Sequence, residues 1–231
     1  ETQALDILSG GDLGRAQEAR RLLEIAAEAG LPEGTNALSF MLRNGIGGPA
    51  DLERGRALLE RAAQGGSVGA NLTLADAHIE GRGGYPRDPE RGYAYAVAAA
   101  ESTINPNGAA FAQWRVGMLT LEGVGTPADA ERAYTWVARA AENGAVYGMI
   151  SRAVMLATGD GVAIDGAAAR LWYQRAAESG EMGSAHALRS LGGMLARGEG
   201  GSIDLPRGYA YLAIARDAGD PLADDFIRRL A

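Results

Sequence analysis

Five aspartates recur along this chain, Asp51, Asp88, Asp129, Asp165 and Asp204, each a few residues after a Gly-x-Gly turn. Carboxylates beside glycine-rich turns could ligate calcium, but a calcium loop needs oxygen donors on alternating residues, and these loops lack them. The same aspartates suit the first turn of a helix. There a short carboxylate accepts from free backbone N–H groups and meets the positive end of the helix dipole. Pro89 and Pro206 follow two of them, where proline is tolerated at a helix start. The aspartates therefore read as helix caps.

Other chemistry is sparse. The chain has two histidines, His78 and His186, and no cysteine, which removes disulfides, thiol nucleophiles and cysteine-ligated metal sites. His78 falls where other repeats place leucine and reads as a partly buried structural residue. No His-Glu-x-x-His, nucleophile elbow or Walker motif occurs. A phosphate-cradling Gly-x-Gly would need a preceding strand, and no period-2 pattern is present. Asp224-Asp225 reads as solvated helix face, and the Asn71-Leu72-Thr73 sequon lies within a predicted helix. No catalytic, metal or cofactor site is expected.

The elements that carry these residues repeat. Alanine pairs begin at Ala26, Ala62, Ala99, Ala140 and Ala176, with Ala215 in the last copy, at spacings of 36, 37, 41, 36 and 39 residues. The turns Gly45/Gly47, Gly81/Gly83, Gly123/Gly125, Gly159/Gly161 and Gly198/Gly200 keep step, and each aspartate precedes its alanine by 11 residues. Such a period marks stacked helical units that bury a continuous core only together. Each repeat reads as two helices. The second starts at the aspartate, carries Leu58, Tyr95, Trp136, Trp172 or Tyr211 seven residues on, and ends at Gly30, Gly66, Gly144, Gly180 or Gly219. Trp136 and Trp172 are expected in the core.

The first helix of each repeat precedes the turn. Counting back from the turn glycine, positions −11, −7, −4 and −3 are small or apolar, as in Gly34, Leu38, Met41 and Leu42, giving a helical core stripe. Small residues at −6, such as Ser39, Gly117 and Gly192, predict close helix approach. Arg152 departs at −7, which requires either a register slip or a local partner. Residues 102–108 hold an insertion of about five residues, read as a protruding loop. The N-terminal repeat is incomplete, with a turn at Gly10-Gly11-Asp12 and little of a first helix in residues 3–9.

Segments such as Gly159-Asp160-Gly161-Val162, and Leu171-Trp172-Tyr173-Gln174-Arg175-Ala176-Ala177-Glu178-Ser179-Gly180 after it, resemble the Sel-one-like repeat, a branch of the tetratricopeptide-type solenoids. The resemblance covers the chain as about five repeats with partial ends. It implies one all-α domain over residues 1–231: a right-handed superhelical solenoid of antiparallel helix pairs with repeats of about 36 residues. It also implies a protein-binding scaffold, often bacterial and often extracytoplasmic, so the expected location is the periplasm, with the cytoplasm as alternative.

In a superhelix of this kind, positions −9, −5 and −2 of the first helices lie opposite the core stripe and should line the concave side. They read Asn36, Phe40, Arg43; Leu72, Asp76, Ile79; Trp114, Met118, Leu121; Ile150, Val154, Ala157; and Arg189, Gly193, Ala196. The middle three sets are apolar and the ends more polar, as a protein-binding groove would be. The expected binding residues are Phe40, Arg43, Leu72, Asp76, Ile79, Trp114, Met118, Leu121, Ile150, Val154 and Arg189; packing against neighbouring helices is the competing reading. The leading function is a non-enzymatic adaptor that holds a peptide or helix of another protein. Alternatives are a cell-wall or glycan-associated enzyme or regulator built on the repeat, and an accessory subunit of a larger membrane-associated complex.

Composition narrows the partners. The net charge is −7, from 29 acidic and 22 basic residues, and every basic residue is arginine. That balance argues against nucleic acid, which requires a basic footprint. No apolar run approaches the ~18 residues of a membrane span. The start at Glu1 fits either a processed mature chain or a trimmed one.

Overall fold

The computed structural model describes residues 13–181 and 183–230 of the chain. They form twelve helices and no strand: α1 (Leu13–Glu28), α2 (Pro32–Asn44), α3 (Leu52–Gln64), α4 (Val68–Glu80), α5 (Pro89–Ala100), α6 (Pro106–Glu122), α7 (Ala130–Glu142), α8 (Val146–Thr158), α9 (Gly166–Glu178), α10 (Ser184–Arg197), α11 (Leu205–Asp217) and α12 (Ala223–Leu230). The fold is all-α and built of helix pairs, as expected. Helices α2, α4, α6, α8 and α10 are the first helices of successive pairs. Residues 3–9 and the Gly10-Gly11-Asp12 turn lie outside the described residues.

The chain divides into two compact units, Glu1–Ala112 and Gln113–Ala231, with the boundary inside α6. In the first unit each helix from α1 to α5 packs on its sequence neighbour, and α2 also touches α4. In the second, α7 to α12 follow the same rule, and α10 also touches α12. Neighbour-on-neighbour packing is what makes a helical repeat quasi-one-dimensional.

The recurring aspartates are all caps. Asp51, Asp88, Asp129 and Asp204 each accept from the backbone N–H three residues on at 3.0 Å, and Asp165 accepts from Ala168 at 2.9 Å. Their own N–H groups do a second job that sequence alone did not suggest. Each donates to the carbonyl at −3 of the preceding helix: Leu42, His78, Thr120, Leu156 and Leu195, at 2.7–3.1 Å. One residue thereby starts the second helix and ties it to the last turn of the first.

The Gly-x-Gly turn is more than a reversal. Its first glycine takes the left-handed conformation that closes the helix, as at Gly159 with φ +87°. At Gly47, Gly161 and Gly200 its second glycine meets the preceding pair. A β-carbon on Gly161 would overlap the backbone of Ala130, and one on Gly200 the backbone of Gly166. Only a residue without a side chain lets the two pairs approach this closely.

The core stripe is as expected. In the first unit Leu38, Met41 and Leu42 pack with Leu23 and Leu58, and Leu74 with Leu59 and Ala62. In the second, Leu191 and Met194 pack with Tyr173 and Ala176. Close approach at −6 is confirmed where a β-carbon on Gly192 would stand 2.9 Å from the Gly208 carbonyl, and where buried Ser39 donates to the Gly55 carbonyl at 2.7 Å.

Two expectations need correction. The insertion is a loop only in part: residues 102–105 are non-helical, and 103–105 are exposed. Its end forms the first turn of the 17-residue α6, and its start folds back on the preceding cap. Ser102 donates to the Gly66 carbonyl at 2.8 Å, and Asn105 caps Gly108 at 3.0 Å. Trp136 and Trp172 are half-buried rather than fully enclosed: Trp172 packs against the edge of the core, and guanidiniums stand over both rings. Arg139 stands 5.6 Å from the Trp136 ring centre, and Arg152 and Arg175 stand 4.3 and 4.6 Å from that of Trp172. This also resolves the arginine at −7: Arg152 stays in register, stacks on Trp172 and pairs with Glu142 at 2.9 Å.

Candidate protein-interaction site

The −9, −5 and −2 positions do not behave alike. Four of the five −2 side chains turn toward the second helix of their own pair, and Ala157 is exposed. A β-carbon on Gly55 would lie 2.6 Å from Arg43 Cγ, and one on Gly92 would lie 2.6 Å from Ile79 Cγ1. Leu121 packs on Ala133 and Val137, and Ala196 is buried. The glycines or alanines four residues after each capping aspartate make room for this contact. Ile79 and Leu121 are therefore largely packing residues, while Arg43 lays its stem over Gly55 and extends its head beyond.

The −5 position is the most open. Phe40 is 53% exposed and Val154 is 37% exposed, large values for apolar side chains on packed helices. Leu72, Asp76, Trp114, Met118 and Ile150 are half-buried. Trp114 is not a bare ring: its Nε1 donates to Ser151 Oγ at 3.0 Å, and the ring stacks on Tyr147 at 5.1 Å. Tyr147, itself 37% exposed, occupies position −12, as does exposed Phe111. Sequence reasoning passed over that column, although seven-residue spacing from −5 puts it on the same helix face.

Arg189 is placed differently from expectation. Its side chain is 12% exposed and pairs at 2.9 Å with Asp220, which is 6% exposed. The guanidinium also sits 5.5 Å from the Phe226 ring centre and meets His186 Nδ1 at 2.8 Å. It fastens the C-terminal helix α12 to α10 rather than ending an open groove. Burial, and then the Arg189 charge, hold His186 below the ordinary imidazole pKa, against the pull of Asp220.

In the first unit the outward face contains a cleft of about 380 Å³ lined by Arg43, Leu59, Leu72, Thr73, Asp76, Ala77, Arg82, Gly83 and Tyr85. Behind it His78 is buried, stacked on Tyr95 at 5.6 Å, and has Nδ1 3.3 Å from the Pro86 carbonyl. The histidine is thus structural. No group of three or more metal-ligating side chains gathers among the described residues.

Capped helix pairs on a fixed period, each offering an outward first-helix face, define a helical-repeat protein. Six Sel1 repeats span residues 9–31, 32–67, 70–103, 110–144, 146–181 and 185–220, and the chain belongs to the Sel1 repeat family. Members of this family commonly serve as protein-interaction scaffolds and are generally non-catalytic.

The crystal structure of c5321, described as a protective antigen present in uropathogenic Escherichia coli strains displaying an SLR fold, is similar with a TM-score of 0.77. It is 28% identical over 88% of this chain and 42% of its own. A Sel1 repeat protein from Oxalobacter formigenes matches at TM-score 0.73 and 30% identity, over 92% of this chain and 60% of that one. This chain thus spans less than two thirds of both. A putative Sel1 repeat protein from Klebsiella pneumoniae shares the fold at TM-score 0.51 and 18% identity, over 91% of this chain and 98% of that one. No curated protein matches the chain. No described helix is long and apolar enough to cross a membrane.

Proposed function

We propose that this chain is a non-enzymatic adaptor that holds a segment of another protein against the outward faces of its first helices. The observation that carries this reading is the set of large apolar side chains left open there. Phe40, Val154 and Tyr147 remain between 37% and 53% exposed on helices whose opposite stripe is buried apart from Arg152. Stability gains little from such residues, whereas apolar and aromatic anchors commonly dominate interfaces. Met118 and Ile150 share the Trp114 face and extend it. A periplasmic or otherwise extracytoplasmic location is part of this proposal.

The reading is tested by photo-crosslinking in the source cells. A photoreactive residue is placed at Phe40, Tyr147 or Val154, and for comparison at Ile25 or Ile214, which are exposed on second helices. One discrete protein adduct from the first-helix positions, absent from the second-helix ones, is expected. Equal or absent crosslinking at all five would defeat the proposal. Fractionation of the same cells tests the location: the chain should leave with the extracytoplasmic fraction.

A further inference from the structure

The cleft in the first unit has a chemistry of its own. Leu59 and Ala77 are buried in its wall, and half-buried Leu72 and Tyr85 complete an apolar lining. Two arginines face it. Arg82 is occupied, with Glu80 at 3.0 Å and Asp76 at 3.8 Å. Arg43 is not: among the described residues it makes no hydrogen bond and no ion pair. Its stem is pinned over Gly55, so the head is presented without the freedom of a surface side chain. Glu60 is close enough to act on the Tyr85 phenol, but it forms no ion pair with Arg43. Burial first, and Glu60 second, raise the Tyr85 pKa, against the pull of Arg43 and Arg56.

The guanidinium of a half-buried arginine whose stem lies over Gly55, beside an apolar wall, is complementary to a carboxylate carried next to an aliphatic group. Guanidinium binds carboxylate through two parallel N–H donors, and partial burial strengthens that pair relative to one in water. The volume of about 380 Å³ lies at the small end of ligand sites, enough for side chains and too little for a packed helix. The chain as a whole carries a net charge of −7, so an acidic segment is held by this cation in particular and not by a general field.

We infer that the first-unit cleft captures an acidic residue flanked by an aliphatic one in a partner segment. Arg43 holds the carboxylate, and the Leu59, Leu72 and Ala77 wall holds the aliphatic side chain. The inference rests on the reading of the first-helix faces as binding faces and adds the partner's chemistry.

A phage-displayed library of random nonapeptides, selected on the full chain, tests it. Recovered peptides should share Asp or Glu beside Leu, Ile, Val or Met. A synthetic peptide of that sequence should lose about tenfold or more in affinity against Arg43→Gln, which keeps the stem over Gly55, and lose affinity with added salt. Selection on Arg43→Glu should recover Lys or Arg in place of the acid. Circular dichroism and thermal melting establish that both variants fold. A consensus without acid, or binding indifferent to Arg43→Gln, overturns the inference. If such peptides are instead lost with Phe40→Asp or Val154→Asp, the adaptor reading survives without it. If the native chain recovers no peptide, both fall.

Discussion

Arg170 of α9 reaches across to the next turn, where a β-carbon on Gly201 would stand 2.9 Å from its Nη1. The guanidinium donates to the carbonyls of Met194 and Ser202 at 3.0 and 3.3 Å. The same relationship joins Arg20 to Gly48 and Arg56 to Gly84. All three arginines face a turn of the form Gly-x-Gly-Gly. Where the equivalent residue is Tyr93 or Tyr134, the next turn carries Thr126 or Val162 instead. Arginine and the third glycine form one device that fastens successive helix pairs.

Gly201→Ala should therefore destabilise the second unit by about 1–2 kcal/mol, through displacement of a guanidinium that satisfies several carbonyls. Arg170→Tyr combined with Gly201→Val, the combination found at Tyr134 and Val162, should recover part of the loss. Chemical denaturation of the single and double variants measures the coupling, and strictly additive losses would show that the two positions are independent.

Arg152 replaces the leucine of other repeats, and its Nε is buried without an acceptor among the described residues. Glu142, its ion-pair partner, is mostly exposed and remains hydrated if left alone. Arg152→Leu is therefore expected to melt no lower than the native chain. Arg152→Ala, which also removes the packing over Trp172, should lose about 2 kcal/mol. A clear loss with leucine would mean that the guanidinium stack on Trp172 outweighs the orphaned nitrogen.

The caps share one geometry, so their contributions should be alike. Asp165→Ala and Asp204→Ala are each expected to lose about 1 kcal/mol, and Asp165→Asn less than half of that, since asparagine keeps the acceptor and loses only the interaction with the dipole. Urea titration checks the ranking. The Asp N–H bond to position −3 is backbone and survives all three changes.

Acid should loosen the C-terminal end. His186 has a lowered pKa in the folded chain, so below the ordinary imidazole value the unfolded chain binds the proton first. The sign follows: stability is intact above about pH 6.5 and falls as the pH drops below it. His186→Gln should flatten that fall in melting temperature between pH 7.5 and 5.5, and an unchanged slope would exclude this histidine as its source.

The sequence by itself determined the local structure. Helix starts, helix ends, the pairing of helices and the core stripe follow from caps, glycines and periodicity, which act over a few residues and recur in most repeats. The burial of His78 was legible because its column is otherwise filled mainly by leucine. What only the tertiary structure decided depends on which surface each pair turns to its neighbour. The −2 column looked like groove and is largely packing, because the glycine or alanine that receives it sits on a different helix. Trp136 and Trp172 looked like core and are half-covered by arginines whose reach has no period. Arg189 looked like a groove residue and became an anchor because Asp220 lies 31 positions away in sequence and 2.9 Å away in space. Contacts between consecutive residues are written in the repeat, whereas contacts between successive pairs depend on side-chain reach and on the few glycines that let backbones meet.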